Sequence, residues 1–135
     1  MNVDPELMLE IFCEETAQLQ QEIEGLLLSL ERLSKQEGIS AYSDLMRKLH
    51  TIKGNASAFD SGQSMVRLAH SMENVVARLK TGELTGDNEL FTKLLQGADQ
   101  IKDLMQLMRT KVDPKIKSKV DSKVADLEKF FLGKK

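Results

Sequence analysis

Apolar residues recur every three or four positions along most of this chain, and this spacing is the strongest constraint on its fold. Within residues 45–59 the apolar positions are Leu45, Leu49, Ile52, Ala56 and Phe59. A similar series lies near the end of the chain and comprises Ile116, Val120, Val124, Leu127 and Phe131. Such spacing places side chains on one face of an α-helix. The pattern therefore predicts a chain made of amphipathic helices.

The positions of proline and glycine predict where these helices begin and end. Only two prolines occur, Pro5 and Pro114, and each follows an aspartate. Asp at the N-cap with Pro at the first helical position is a helix start signal. Gly38 is expected to follow the end of the first helix. The predicted helices cover about residues 5–34, 40–59, 62–80, 87–110 and 114–132.

The short connections between these helices favour antiparallel neighbours. We therefore predict an all-α fold, an up-and-down antiparallel four-helix bundle with an additional C-terminal fifth helix. A chain of 135 residues is expected to form one domain, over residues 1–135.

Charge and cysteine content argue against several classes of protein. A formal net charge of −2 does not favour nucleic-acid binding. No stretch approaches the ~18 apolar residues of a membrane span, and no signal peptide is visible, so we expect a cytoplasmic protein that binds no membrane. The single cysteine, Cys13, excludes an internal disulfide framework and suits a reducing compartment. The domain itself is expected to be monomeric.

The second predicted helix carries a polar patch beside its apolar stripe. His50, Lys53 and Gly54 stand at i, i+3 and i+4, so they share one area of helix surface. A glycine inside a helix costs roughly 1 kcal/mol relative to alanine. Packing alone does not favour this combination, which indicates a surface that another molecule approaches.

A carboxylate on the next helix is expected to face this patch. His50 lies about twelve residues before the turn near Gly62 and Glu73 about eleven after it, so an antiparallel hairpin places them at similar heights. His70 lies one turn from Glu73. A carboxylate that accepts the Nδ1–H of His50 fixes the tautomer and leaves Nε2 as a nucleophile. Lys53 supplies positive charge for an anion on Nε2.

Two other functions fit parts of this pattern. His50, His70 and Glu73 are possible zinc ligand types, but a fourth ligand is not evident from the spacing. Alternatively, the chain is a non-catalytic docking bundle that binds a partner helix through Met-rich faces, which contain Met46, Met65, Met72, Met105 and Met108. The docking interpretation leaves the patch around His50 unexplained.

Three motifs together resemble the histidine phosphotransfer (HPt) family, and within it the phosphotransfer domains of CheA-type chemotaxis kinases. They are H-T-I-K-G-N-A-S-A-F at 50–59, R-L-A-H-S-M-E-N at 67–74 and L-K-T-G-E-L at 79–84. The resemblance covers nearly the whole chain and includes a fifth helix after a four-helix core.

The resemblance implies a role in two-component phosphorelay signalling. His50 matches the phosphoryl-accepting histidine, Lys53 the lysine beside it, Glu73 the carboxylate that orients the ring, and His70 a supporting histidine. The expected partner-binding residues are Gly54, Ser57 and Arg47.

The partners that this resemblance implies are a CheA-type kinase catalytic domain and a CheY-like response regulator receiver. ATP and Mg²⁺ are expected on those partner domains, and no cofactor or metal on this chain. The chain would then be the phosphoacceptor domain of a histidine protein kinase, without ATP-binding or catalytic machinery of its own.

The sequence departs from the family pattern after the lysine. Asn55 and Ser57 replace residues that are usually smaller, and Asp60-Ser61 stand where Gly-Phe or Gly-Leu is common. We expect these changes to affect the choice of partner and the shape of the helix end rather than the phosphotransfer itself.

Overall fold

The computed structural model describes residues 4–110 and 113–134. These residues form helices α1 (Pro5–Ser29), α2 (Lys35–Ala56), α3 (Gln63–Thr81), α4 (Asn88–Arg109) and α5 (Pro114–Leu132). Short 3₁₀ turns, Leu30–Arg32 and Asp60–Gly62, precede α2 and α3. The described part of the chain contains no strand, so the predicted all-α class is confirmed. None of its helices is both long enough and apolar enough to cross a membrane.

Side-chain caps begin two of the helices as the Asp-Pro pairs predict. The Asp4 carboxylate accepts the backbone N–H of Glu6 at 3.0 Å, and that of Asp113 accepts the N–H of Lys115 at 2.8 Å. Each bond satisfies a backbone donor that the first turn of a helix leaves without a partner. At the other end of α3, Gly82 has φ of 80°, a conformation that side-chain-bearing residues rarely adopt.

The predicted boundary between the first two helices is wrong. Helix α1 ends at Ser29 rather than about residue 34, and α2 begins at Lys35 rather than about residue 40. The cause is a capping box, in which Ser34 Oγ accepts the Glu37 N–H at 3.2 Å and the Glu37 carboxylate accepts the Ser34 N–H at 3.1 Å. Gly38 therefore lies inside α2 and does not follow α1.

Helix α2 also ends earlier than predicted, at Ala56 rather than about residue 59. The chain then turns, and the backbone at Gly62 lies directly against Ala56. A Cβ at position 62 would collide with the Ala56 carbonyl, so only glycine allows the chain to pass this close. Helix α3 begins directly after Gly62, at Gln63, one residue after the predicted start.

The helices enclose one apolar core. Helix α1 packs against α2 and α4, and α3 packs against the same two helices. The largest fully buried side chains include Ile23, Leu45, Leu49, Ile52, Met65, Leu68, Met72, Leu90, Leu94 and Ile101. Buried Gln20 of α1 donates from Nε2 to the Ala98 carbonyl of α4 at 3.1 Å, which fixes these two helices relative to each other.

Helix α5 packs on the outside of α3 and α4. Its buried residues are Val120, Val124, Leu127 and Phe131, as the apolar spacing predicts. Ile116, the first residue of the same series, is exposed instead. The amphipathic pattern therefore marks the correct face of α5, but contact with the core begins one turn later.

Candidate functional site

His50 projects from α2 into solvent. Its neighbours Leu49 and Ile52 are buried in the core, so the backbone of this turn is held while the imidazole points outward. The His50 side chain is 69% exposed. A reacting group on another molecule can therefore reach the ring without any movement of this domain.

Glu73 of α3 holds the inner side of that ring. Its Oε2 lies 3.1 Å from Nδ1 of His50, and its side chain is only 15% exposed. A carboxylate can only accept a hydrogen bond, so Nδ1 carries the proton of the neutral ring. Nε2 then keeps its lone pair and faces away from Glu73. The predicted pairing of His50 with Glu73 is present in the structure.

Lys53 holds the other oxygen of the same carboxylate. Its Nζ lies 2.8 Å from Oε1 of Glu73 and 3.4 Å from Nδ1 of His70. Lys53 is 22% exposed, so the ion pair is partly shielded from water. We name His50, Lys53, His70 and Glu73 the Glu73 cluster. Within it Lys53 contacts the carboxylate that orients His50, which adds a positioning role to its expected role beside the phosphoryl group.

His70 has a defined place at the edge of the Glu73 cluster. Its Nδ1 lies 4.0 Å from Oε1 of Glu73, beyond hydrogen-bond distance, and faces the ammonium of Lys53. Because an ammonium only donates, Nδ1 of His70 is the acceptor in that contact. His70 thus supports Lys53, and its contact with the His50 ring is indirect, through Lys53 and Glu73.

The surface next to His50 on α2 is open. A Cβ built on Gly54 would have no neighbouring atom within 4 Å, so the packing of this chain does not require glycine there. Ser57 is exposed, and its Oγ donates to the Gly54 carbonyl at 2.6 Å. Arg47, one turn before His50, is 72% exposed. Two of the predicted partner-binding residues, Arg47 and Gly54, therefore lie on the solvent face of α2, and exposed Ser57 directly follows its last residue.

A second charged cluster on α2 was not anticipated from the sequence. The carboxylate of Asp44 pairs with Arg47 and also lies 3.4 Å from Nζ of Lys48. Lys48 in turn lies 3.9 Å from Glu22 of α1. We name Glu22, Asp44, Arg47 and Lys48 the Asp44 cluster. The spacing of Asp44, Arg47 and Lys48 at i, i+3 and i+4 is the sequence signal that could have indicated it.

The Glu73 cluster is not suited to bind a metal ion, and Cys13 is not suited to act as a nucleophile. No group of three His, Cys, Asp or Glu side chains within residues 4–110 and 113–134 is arranged to hold a metal. The Lys53 ammonium lies against both His70 and Glu73, where it would repel a divalent cation. Cys13 is buried, and burial raises the pKa of its thiol, with a smaller opposing effect from Arg109. A buried, protonated thiol is a poor nucleophile.

The site is a surface patch rather than a pocket. A groove of about 520 Å³ lies between α1 and α2 and is lined by residues such as Ser40, Asp44 and Arg47, without His50. The arrangement suits a nucleophile that reacts with a group carried by another protein, because the imidazole of His50 stands in solvent rather than inside this groove.

Comparison with known proteins identifies relatives of this arrangement. A family model described as Hpt domain matches residues 7–111, a region that ends before α5. The chain is 38% identical over 66 residues to the chemotaxis protein CheA of Cereibacter sphaeroides, covering 49% of this chain and 10% of that protein. It is 26% identical over 116 residues to CheA of Borreliella burgdorferi, covering 86% of this chain and 13% of that protein. The matched region thus spans about a tenth of the length of either relative.

A solved structure shares the fold. It is the phosphorylated P1 domain of CheA3 in complex with CheY6 from R. sphaeroides, with a TM-score of 0.69 and 19% identity. The match covers 93% of this chain and 98% of that domain. The similarity therefore extends over the helices as a set, including those that carry the Glu73 cluster.

Proposed function

The chain belongs to the Hpt domain family, and from this premise we propose that it is a phosphorelay domain in which Nε2 of His50 carries the phosphoryl group. The observation that carries the proposal is the 3.1 Å contact between His50 Nδ1 and Glu73. It leaves an exposed imidazole with its nucleophilic nitrogen toward solvent. The relatives of this chain are CheA proteins, which supports a role in chemotaxis-type two-component signalling.

In the first step the Nε2 lone pair attacks the γ-phosphorus of ATP held by a separate CheA-type kinase domain. The N–P bond forms as the bond from phosphorus to the bridging oxygen breaks, and ADP leaves with that electron pair. ATP and Mg²⁺ belong to the partner domain, where Mg²⁺ neutralises charge on the phosphates. The contribution of this chain is an imidazole in the correct tautomer and orientation.

Glu73 acts on the charge that develops during this attack. As Nε2 bonds to phosphorus, the ring becomes an imidazolium that still carries its proton on Nδ1. The Glu73 carboxylate accepts that N–H and stabilises the positive charge, as the orienting aspartate does in catalytic triads. Lys53, held at 2.8 Å by the same carboxylate, fixes Glu73 and adds positive charge near the phosphoryl group, while His70 supports Lys53.

In the second step an aspartate of a CheY-like receiver takes the phosphoryl group. The carboxylate oxygen attacks phosphorus, the N–P bond breaks, and its electron pair returns to Nε2. The ring is then neutral again with the proton still on Nδ1, so no proton has to be exchanged with solvent. Gly54 and Ser57 leave a low surface beside His50 for the approaching receiver, and Arg47 offers a charged contact at its edge.

We also infer the wider organisation of the domain from its helix packing. The helices follow an up-and-down antiparallel arrangement of α1 to α4, with α5 added outside, as one domain over residues 1–135. The contacts of His50 and Lys53 with Glu73 and His70 support the antiparallel arrangement for α2 and α3. The domain is a cytoplasmic monomer that binds neither nucleic acid nor membrane and carries no cofactor itself.

The test is a transfer assay with purified components. The chain is mixed with a CheA-type kinase core and ATP labelled at the γ-phosphate, and the label is followed by its acid-labile, base-stable chemistry. We expect labelling of the wild type and of His70→Gln, and none of His50→Gln with its helical content retained. A CheY-like receiver added later should remove the label. Retained labelling of His50→Gln would refute the site, and a label that no receiver removes would refute the relay.

A further inference from the structure

The Glu73 cluster leaves one question about the phosphorylated state, namely which cation holds the phosphoryl group. Lys53 is the candidate that the family resemblance indicates, but its ammonium lies 2.8 Å from the Glu73 carboxylate and 3.4 Å from His70. Its charge is already compensated by a partner that is only 15% exposed. A phosphoryl group can share the Lys53 ammonium with Glu73. If it took Lys53 away from Glu73, the His50 ring would be held less firmly.

The direction of Nε2 points to another cation. The lone pairs of the two imidazole nitrogens diverge to opposite sides of the ring, and Nδ1 of His50 faces Glu73 on α3. A phosphoryl group on Nε2 therefore lies on the side away from α3. Side chains of an α-helix lean toward its N-terminus, so the His50 ring covers the preceding turn. The exposed cation in that turn is Arg47, at i−3.

Arg47 is free to change partner at little cost. The Arg47 side chain is 72% exposed, and its guanidinium pairs with Asp44, whose side chain is 32% exposed. Exposed ion pairs of this kind contribute little to stability, because solvent screens them and long side chains lose entropy. Asp44 also keeps a second cation, since Nζ of Lys48 lies 3.4 Å away. Releasing Arg47 therefore does not leave a carboxylate without a partner.

We propose that Arg47 leaves Asp44 when His50 is phosphorylated and binds the phosphoryl group on Nε2. This inference rests on the proposed function and assigns Arg47 an intramolecular role, in addition to any contact with a partner. A guanidinium can donate two parallel hydrogen bonds to phosphoryl oxygens, which suits it better than a lysine to this geometry. Asp44 holds the arginine one turn away until the negative charge arrives.

The test measures the ionisation of the phosphoryl group itself. The chain is phosphorylated with phosphoramidate, a small-molecule donor that needs no kinase domain, and its phosphorus NMR signal is titrated with pH. A nearby guanidinium stabilises the dianion, so Arg47→Gln should raise the phosphoryl pKa by about half a unit. Arg47→Lys keeps a positive charge, so it should raise the phosphoryl pKa by less than Arg47→Gln does. The difference in pKa between the wild type and Arg47→Gln should decrease as salt is added, because the contact is exposed.

Lys35→Gln is the matched control, since it removes one positive charge from the same helix. Lys35 is exposed and lies about 22 Å from His50 along the helix axis, well beyond the screening length at physiological salt. We expect its phosphoryl pKa to equal that of the wild type. Equal values for Arg47→Gln and Lys35→Gln would overturn the role of Arg47.

Asp44→Asn tests the release step through a double-mutant cycle with Arg47→Gln. Asp44→Asn removes a negative charge, so it should lower the phosphoryl pKa both in the wild type and in Arg47→Gln. In the wild type it also frees the Arg47 guanidinium, so we expect a larger decrease in pKa there than in Arg47→Gln. Equal decreases would contradict the proposed movement of Arg47 from Asp44 to the phosphoryl group. A wild-type chain that acquires no phosphorus on His50 would overturn the proposed function as well, so the two failures are distinguishable.

Discussion

Helix α2 contributes to two clusters that contain similar groups and differ in their surroundings. In each, one carboxylate contacts two basic side chains. Glu73 reaches across from α3, is 15% exposed, and joins His50 to Lys53. Asp44 belongs to α2 itself, is 32% exposed, and joins Arg47 to Lys48.

The two carboxylates differ in burial and in the helix that carries them. This difference predicts which basic side chain is held in a fixed orientation and which is free to move. A carboxylate on a neighbouring helix, shielded from water, fixes the ring that it contacts, because both helix backbones are held by the core. A carboxylate three and four residues from its partners on one exposed helix holds them weakly. The Glu73 cluster is therefore suited to position a nucleophile, and the Asp44 cluster to supply a cation that moves.

The largest expected effect follows from removing the charge of Glu73. Glu73→Gln keeps the side-chain shape but cannot compensate the imidazolium that forms during attack. Phosphorylation by a kinase core should slow by about 10- to 100-fold, by analogy with losses of orienting partners at metal-bound histidines. The measurement is the initial rate of labelling at saturating kinase.

Asp44→Asn is the matched change in the other cluster. Because Asp44 does not contact His50, we expect the rate of phosphorylation to change by less than about threefold, in keeping with an exposed ion pair. Similar losses for Glu73→Gln and Asp44→Asn would show that both carboxylates act through overall charge, and the distinction between the two clusters would fail.

Lys53→Met should have an intermediate effect. Without the ammonium, Glu73 keeps only its contact with His50, so the ring becomes less well fixed and phosphorylation should slow several-fold. The loss of a hydrogen bond between charged, partly shielded groups should lower the free energy of unfolding by about 1 kcal/mol. Lys48→Met, in the Asp44 cluster, should leave the rate of phosphorylation nearly unchanged. Urea denaturation and the labelling assay measure the two effects.

Gly54 and Gly97 test the contrast between the open face of α2 and the core. Gly54→Ala places a Cβ where no atom lies within 4 Å, so it should stabilise the helix by about 0.5 to 1 kcal/mol. A Cβ on Gly97 of α4 would lie 2.7 Å from the sulfur of Met72, so Gly97→Ala forces that side chain to move and should be destabilising. Thermal unfolding of the two variants should therefore shift in opposite directions.

Gly54→Leu adds bulk to the same open face. We expect it to slow transfer to a receiver while the domain stays folded, because the added side chain stands next to His50 where the partner approaches. Labelling by phosphoramidate, which needs little space, should be retained. A loss of folding in Gly54→Leu would mean instead that the glycine serves the structure of the helix.

The smallest functional effect is expected at the start of α2. Ser34→Ala removes the cap of the helix that carries His50, and such changes cost about 1 kcal/mol of stability. Because the cap lies 16 residues before His50, the rate of phosphorylation should stay unchanged at temperatures where the domain is folded. A slower reaction would indicate that fraying of α2 reaches the Glu73 cluster.

Helical spacing and a count across one turn were sufficient to predict the pairing of His50 with Glu73. Apolar positions fix the rotation of each helix, and a short turn fixes the relative height of two neighbours. The α1–α2 boundary was mistaken because Gly38 was taken as a stop signal, although Ser34 and Glu37 already formed a capping box pattern. The bond from Lys53 to Glu73 depends on side-chain conformation, which residue spacing does not determine.

The central claim is that Glu73 leaves Nε2 of His50 as the reactive nitrogen. The most direct test is a long-range proton–nitrogen NMR spectrum of the chain labelled with ¹⁵N, recorded before and after phosphorylation. We predict a proton on Nδ1 of His50 at neutral ring charge, and phosphorus coupled to Nε2 of His50 afterwards. Phosphorus on Nδ1 of His50, or on either nitrogen of His70, would contradict the account.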